Sequence, residues 1–139
     1  MSEVMGTRKI KDKDKVLEAL SDKKTLLGCT PGVKEIDGDK FTAQVKVGLL
    51  NVEVEGILKD FKVNGNEVSN LLEVTGPGII VAISTSVKVY DDYLEWKASY
   101  DVTGPLARAI SNTIDRKAKE IATEIIECTL SSADVGDDS

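Results

Sequence analysis

Trp96 and Tyr100 are the side chains of this sequence best suited to meeting a small molecule. They lie in a stretch of strict alternation, with Leu94, Trp96, Ala98, Tyr100 and Val102 on one side of a strand and Glu95, Lys97, Ser99 and Asp101 on the other. An indole and a phenol on an inner face can stack on an apolar ligand, or they can fill a core. Their polar tips need a partner when buried, and a cavity supplies one, so both readings stand at this level. Asn70 and Thr85 also fall on expected inner faces. There an amide and a hydroxyl can orient a ligand head group, or pair with backbone and water. The carboxylates of Glu95 and Asp101 point outward by phase and make poor general acids or bases.

Much chemistry is excluded by what is missing. The chain has no histidine. That removes the usual general base, the usual partner of a nucleophile and the commonest metal ligand. Two cysteines, Cys29 and Cys128, are too few for a disulfide framework, and a reduced, buried pair is expected. Cys29, beside Pro31-Gly32 and without a nearby Cys or His, reads as a buried turn residue, and Cys128 as part of a helix core. No motif for phosphate, nucleotide or metal binding is present, so no catalytic residue, metal or cofactor is expected.

With 139 residues and 41% hydrophobic content, the chain suits one domain with a real core. A net charge of −6 leaves no clustered Lys and Arg for nucleic acid or anionic lipid. The run KIKDKDK (9–15) interleaves its lysines with aspartates and reads as a solvated helix start. No stretch approaches the ~18 apolar residues of a membrane span. The N-terminus is polar rather than signal-like, and an intracellular, cytoplasmic protein is expected.

These side chains need elements to hold them. Ser2–Ile10 reads as an edge strand. Val16, Leu17 and Leu20 form one face of a short helix, and Ser21 or Asp22 caps a second that carries Leu26 and Leu27 and ends at Gly28. From Val33 to Val102 the period is two. Turns are signalled at Asp37-Gly38, Gly48-Leu49-Leu50, Asn64-Gly65, Gly76-Pro77-Gly78 and Asp91-Asp92. Gly56 is expected to bulge its strand, because the apolar phase shifts from Val52 and Val54 to Phe61 and Val63 beyond it. Gly76-Pro77-Gly78 reads as a structural turn or as a gate to a cavity mouth. One long helix then runs from Thr103 to Leu130, with Gly104 as N-cap and Pro105 at the first helical position. Its apolar stripe is Leu106, Ile110, Ile114, Ile121 and Ile125, joined by Ala118, Ala122 and Cys128, with Ile114 and Ile121 at the centre.

Such a stripe must find a broad apolar partner, and the sheet is the one this chain offers. The expected fold is α+β: a curved antiparallel sheet of about seven strands wrapped around the long terminal helix, with two short helices after the first strand. The domain is expected over residues 1–130, with a disordered acidic tail at 131–139. A curled sheet filled mostly by Val, Ala and Ile leaves room for a cavity. Its candidate lining is Val52 and Val54, Asn70 and Leu72, Ile83 and Thr85, and Trp96 and Tyr100 from the strands, with Ile110 and Ile114 from the helix.

The residues Val16-Leu17-Glu18-Ala19-Leu20-Ser21-Asp22, Leu27-Gly28-Cys29-Thr30-Pro31-Gly32, Val45-Lys46-Val47-Gly48, Gly56, Gly76-Pro77-Gly78 and Val102-Thr103-Gly104-Pro105-Leu106-Ala107 carry a resemblance. On these the chain resembles the carbon monoxide dehydrogenase G-subunit family, within the START-like and Bet v 1-like helix-grip domains, from Val16 to Leu130. The resemblance implies a hydrophobic cavity and a non-catalytic accessory role. The implied partners are an apolar small molecule and a molybdenum hydroxylase such as carbon monoxide dehydrogenase, whose membrane recruitment the family is associated with. The net charge and the tail Asp134, Asp137 and Asp138 oppose contact with an anionic surface. Direct membrane contact is therefore expected to be weak or absent, with any peripheral location arising through a partner. The alternatives are a small helix-grip enzyme of the cyclase or dehydratase type, using a cavity carboxylate or Tyr, and a protein–protein adaptor with a collapsed core.

Overall fold

The computed structural model describes residues 2–47 and 49–133. Strand β1 (Ser2–Lys9) opens the described residues and leads into two short helices, the second starting at the expected cap Asp22. Asp12 accepts the backbone N–H of Lys15 at 3.1 Å and begins α1 (Lys13–Leu20). Asp22 accepts that of Lys24 at 3.0 Å and begins α2 (Lys23–Gly28). In each case a carboxylate satisfies an N–H that has no partner within the helix.

Six strands follow: β2 (Val33–Asp37), β3 (Lys40–Val47), β4 (Leu50–Asn64), β5 (Glu67–Gly76), β6 (Ile79–Val89) and β7 (Tyr93–Thr103). Every neighbouring pair is antiparallel, and the order across the sheet is β1-β7-β6-β5-β4-β3-β2. β1 therefore crosses from one end of the chain to pair with the last strand, Ser2 opposite Tyr100 through Lys9 opposite Tyr93. The long helix α3 (Ala107–Ala133) completes the fold. At about 1.5 Å per residue it is roughly 40 Å long and crosses the concave face of the sheet.

Four expectations about these elements are corrected. The bulge in β4 lies at Asp60, which adopts φ +50 where the register slips by one residue between Lys59 and Lys62. Aspartate tolerates that left-handed conformation better than most residues. Gly56 instead stays in register opposite Phe41, whose ring lies over it. A Cβ on Gly56 would stand 2.1 Å from the ring. Gly104 is not an N-cap. It sits at φ +108 in a turn, with Gly78 so close that a Cβ would lie 2.6 Å from that residue's carbonyl oxygen. The backbone N–H of Leu106 donates to the same oxygen at 2.9 Å, and the helix begins at Ala107, after Pro105 and Leu106 have made the turn. At its other end α3 runs to Ala133, so residues 131–133 are helical, whereas the rest of the expected tail lies outside the described residues, as does Gly48 of the expected turn.

The fourth correction concerns the cysteines. Cys29, which caps the end of α2, forms a disulfide with Cys128 on α3, with their Cα atoms 5.6 Å apart across a sequence separation of 99. The expectation of a reduced pair rests on their number, and number says nothing about proximity. The fold lays α2 across α3 and brings two Cα atoms within bonding reach. Cys128 is exposed rather than part of the core.

Two buried clusters hold the sheet to the helices. One joins Val16 and Leu20 of α1 to Val68, Val87, Val89, Leu94 and Trp96 of the sheet and to Ile126 and Leu130 of α3. The other joins Leu27 of α2 to Phe41, Ala43, Val54 and Leu58. An ion pair fixes the same end of α3 to β1: the Arg8 guanidinium donates to Glu127 at 2.6 and 3.0 Å. Both side chains are half exposed, so this pair is worth at most about 1 kcal/mol.

Candidate functional site

Between the middle of α3 and the sheet the packing opens into a cavity of about 160 Å³. Its floor is laid by cross-strand register. Val68, Val87 and Trp96 form one row across β5, β6 and β7; Asn70, Thr85 and Ala98 form the next; Leu72, Ile83 and Tyr100 form a third. The roof is the face of α3 that carries Ile114, Ala118, Ile121, Ala122 and Ile125, and α2 closes one side with Leu26 and Leu27. Alanines at 118 and 122, where a larger residue would reach the sheet, help explain why the space is not filled. Among the described residues, none on the wall is charged.

The structure thus brings Asn70, Leu72, Ile83, Thr85, Trp96, Tyr100 and Ile114 to one wall. Val52 and Val54 are placed elsewhere. They pack in the cluster around Leu27 and Phe41, because α2 rather than α3 covers that part of the sheet. The side chain of Ile110 lies outside the described residues. Ile121 stands on the wall but is 42% exposed, so the centre of the stripe is not its most buried part. Ile126 and Thr129 belong to the wall although the alternation and stripe patterns do not single them out. They lie beside the stripe on the helical wheel and are buried because α1 flanks this end of α3. An apolar residue one position after a stripe residue, near a second expected helix, is the signal that could have found Ile126.

Trp96 is buried, with 5% of its surface exposed, because β1 presents Gly6 directly opposite it. The indole edge bearing Nε1 lies over Gly6, and a Cβ there would come within 2.7 Å of the ring. Tyr100 spans the space. Its hydroxyl donates to Asp115 Oδ1 of α3 at 2.6 Å, which ties the N-terminal half of the helix to the sheet. Burial, and then the bond to the Asp115 carboxylate, push the Tyr100 pKa up, and a bond from the Ser2 side chain opposes them. The phenol therefore holds its proton at neutral pH and serves as a donor, not a base.

A raised pKa favours the protonated folded state. The associated stability is complete below the ordinary tyrosine value near 10 and is lost as pH rises through the folded value. Tyr100→Phe should cost about 1 kcal/mol near pH 7, because the bond is only part-buried. It should also shrink the loss of stability between about pH 10 and pH 12. Urea unfolding at both pH values checks this; an unchanged alkaline limb would show that the bond is not kept in solution.

A curved antiparallel sheet gripping one long helix, with two short helices after the first strand and an apolar space beneath the grip, defines a helix-grip domain of the START and Bet v 1-like kind. Solved structures of similar shape include a conserved protein from Geobacillus kaustophilus, 16% identical with a TM-score of 0.69 over 95% of each chain. The Zhui aromatase/cyclase from Streptomyces sp. R1128 is 12% identical with a TM-score of 0.66, over 99% of this chain and 96% of that one. A truncated norcoclaurine synthase from Thalictrum flavum is 13% identical with a TM-score of 0.64, over 99% and 95%. At these identities the likeness is one of fold. The chain belongs to the carbon monoxide dehydrogenase G-subunit (CoxG) family, whose model matches residues 6–133. Among curated protein sequences there is no match. No helix among the described residues is long and apolar enough to cross a membrane.

Proposed function

We propose that this protein is a non-enzymatic carrier of an apolar small molecule, serving as an accessory to a molybdenum hydroxylase such as carbon monoxide dehydrogenase. The observation that carries the binding part is the uncharged cavity between α3 and the sheet. An apolar space that water fills poorly gains most from an apolar occupant. The partner enzyme rests on family membership alone, and a cytoplasmic location on the amino-acid sequence alone.

The competing reading is a small enzyme of the cyclase or dehydratase kind. It draws on the named activities of two structural neighbours and on Tyr100 within the cavity. Against it, the phenol is already bonded to Asp115 and holds its proton more tightly than an ordinary tyrosine, so it is poorly suited to general acid or base work near neutral pH.

Native mass spectrometry of protein purified without detergent tests the carrier reading. The expected spectrum contains, besides the bare chain, a complex heavier by one small apolar molecule that organic extraction removes. Bare protein in every preparation, together with no uptake of added apolar probes, would overturn it.

A further inference from the structure

The polar groups on the cavity wall are not equivalent. Thr30 donates its hydroxyl to Leu26 O at 3.2 Å and Thr129 to Ile125 O at 2.8 Å, each satisfying itself on the chain four residues earlier. The Tyr100 hydroxyl is held by Asp115. The Trp96 N–H has no hydrogen-bond partner among the described residues, but its edge lies over Gly6 of β1. Asn70 and Thr85 are a pair. They face each other across β5 and β6 in the middle row of the floor, and neither side chain has a hydrogen-bond partner among the described residues. Directly opposite residues on one face stand about 5 Å apart, close enough to act on one atom. Their row ends at Ala98, the smallest residue of the floor, and is flanked by Val87 and Trp96 on one side and Ile83 and Tyr100 on the other. The floor is therefore a trough with apolar walls and an unsatisfied amide and hydroxyl at its base.

From this we infer that Asn70 and Thr85 are the specificity-determining residues of the cavity, selecting a neutral, single-ring-sized molecule that carries one uncharged hydrogen-bonding group. The inference rests on the carrier reading and adds the ligand's class to it. Both side chains are only partly buried, so an occupant that covers them displaces their water, and one that satisfies this pair gains over one that does not. An occupant bearing a net charge finds no opposite charge among the described wall residues and must leave its hydration behind. Size follows from volume. A dry apolar cavity of ~150 Å³ in another protein holds benzene, and the present space is about 160 Å³, which admits one ring with a short substituent.

Cumene, acetophenone and benzoate test this, because they share one shape and differ in the group at the branch: apolar, carbonyl and carboxylate. Each is titrated against the full chain by calorimetry, with the fluorescence of Trp96, the single tryptophan, as a second readout. The same titrations are run on Thr85→Val and on Asn70→Leu with Thr85→Val, which keep side-chain volume. The double variant should shift the preference between acetophenone and cumene about tenfold or more toward cumene, as the loss of one neutral hydrogen bond implies. Thr85→Val, the change least able to disturb folding, should give part of the same shift. Benzoate should bind the wild type at least a hundredfold more weakly than acetophenone. If cumene binds while the preference does not move, or benzoate matches acetophenone, the inference falls and the cavity stands. If none of the three binds the wild type, the cavity reading falls with it.

Discussion

Replacing Cys29 and Cys128 together by serine should lower the free energy of unfolding by about 2–5 kcal/mol, and reduction of the wild type should do the same. The size follows from topology. The bond joins residues 99 apart, and closing a loop of about 100 residues removes enough freedom from the unfolded chain to be worth about 4.7 kcal/mol in the chain-entropy model. Against a total stability of about 5–15 kcal/mol for a domain of this kind, that is a large share. Urea unfolding with and without a dithiol reductant measures it. The reduced wild type should superimpose on the double serine variant, whose own midpoint should ignore the reductant. A wild-type midpoint equally indifferent to reductant would show that the bond does not support the fold in solution. A bond of this kind persists in oxidising compartments and within hyperthermophiles, and thiol pools elsewhere in the cytosol work against it. The same titration in glutathione buffers therefore tests whether the proposed cytoplasmic location and an intact bond are compatible.

The second large effect is a contrast between two truncations. Leu94→Ala should cost about 3–5 kcal/mol, because Leu94 has no exposed surface and packs in the cluster of Val89, Trp96 and Leu130. Ile114→Ala should cost about 1–2 kcal/mol, although an isoleucine central to a helix stripe would ordinarily lose about 2–5. Ile114 already borders open space, so its removal enlarges a cavity that exists and forfeits fewer contacts. Equal losses at the two positions would mean that the helix has settled onto the sheet and the cavity has closed.

That contrast also shows what the amino-acid sequence makes legible by itself. The strands and their turns are readable because one face of the sheet is buried and alternation has a period of two. Leu94 to Val102 needs nothing more to be placed. The hairpin order follows from short turns, and the cap at Asp22 from its side-chain chemistry. What escapes is whatever depends on elements distant in sequence meeting in space. Val52 and Val54 share their alternation with true wall residues, yet α2 lies over them, and nothing in their neighbourhood says which helix will. The shift of apolar phase beyond Val54 points to Gly56 as the bulge, whereas the glycine makes room for Phe41 and the kink is made by Asp60. The two cysteines carry no mark of their pairing, because their proximity is a property of how α2 crosses α3. Asn70 and Thr85 are readable as inward-facing, but their shared row, and the lack of a partner for either, need the register.

The pairing of β1 with β7 also sets an order of events during synthesis. β1 leaves the ribosome before the other strands and has no native hydrogen-bonding edge to join until residues 93–100 have followed it. At about 5–20 residues per second that is a wait of several seconds. Meanwhile the hairpins from β2 to β7 can close one after another, each on a neighbour just made. The roof comes after all of them: Ile114 to Thr129 and Cys128 are among the last described residues to appear. The cavity thus takes shape only after the sheet beneath it, and an occupant gripped by both layers has to enter once α3 has been made.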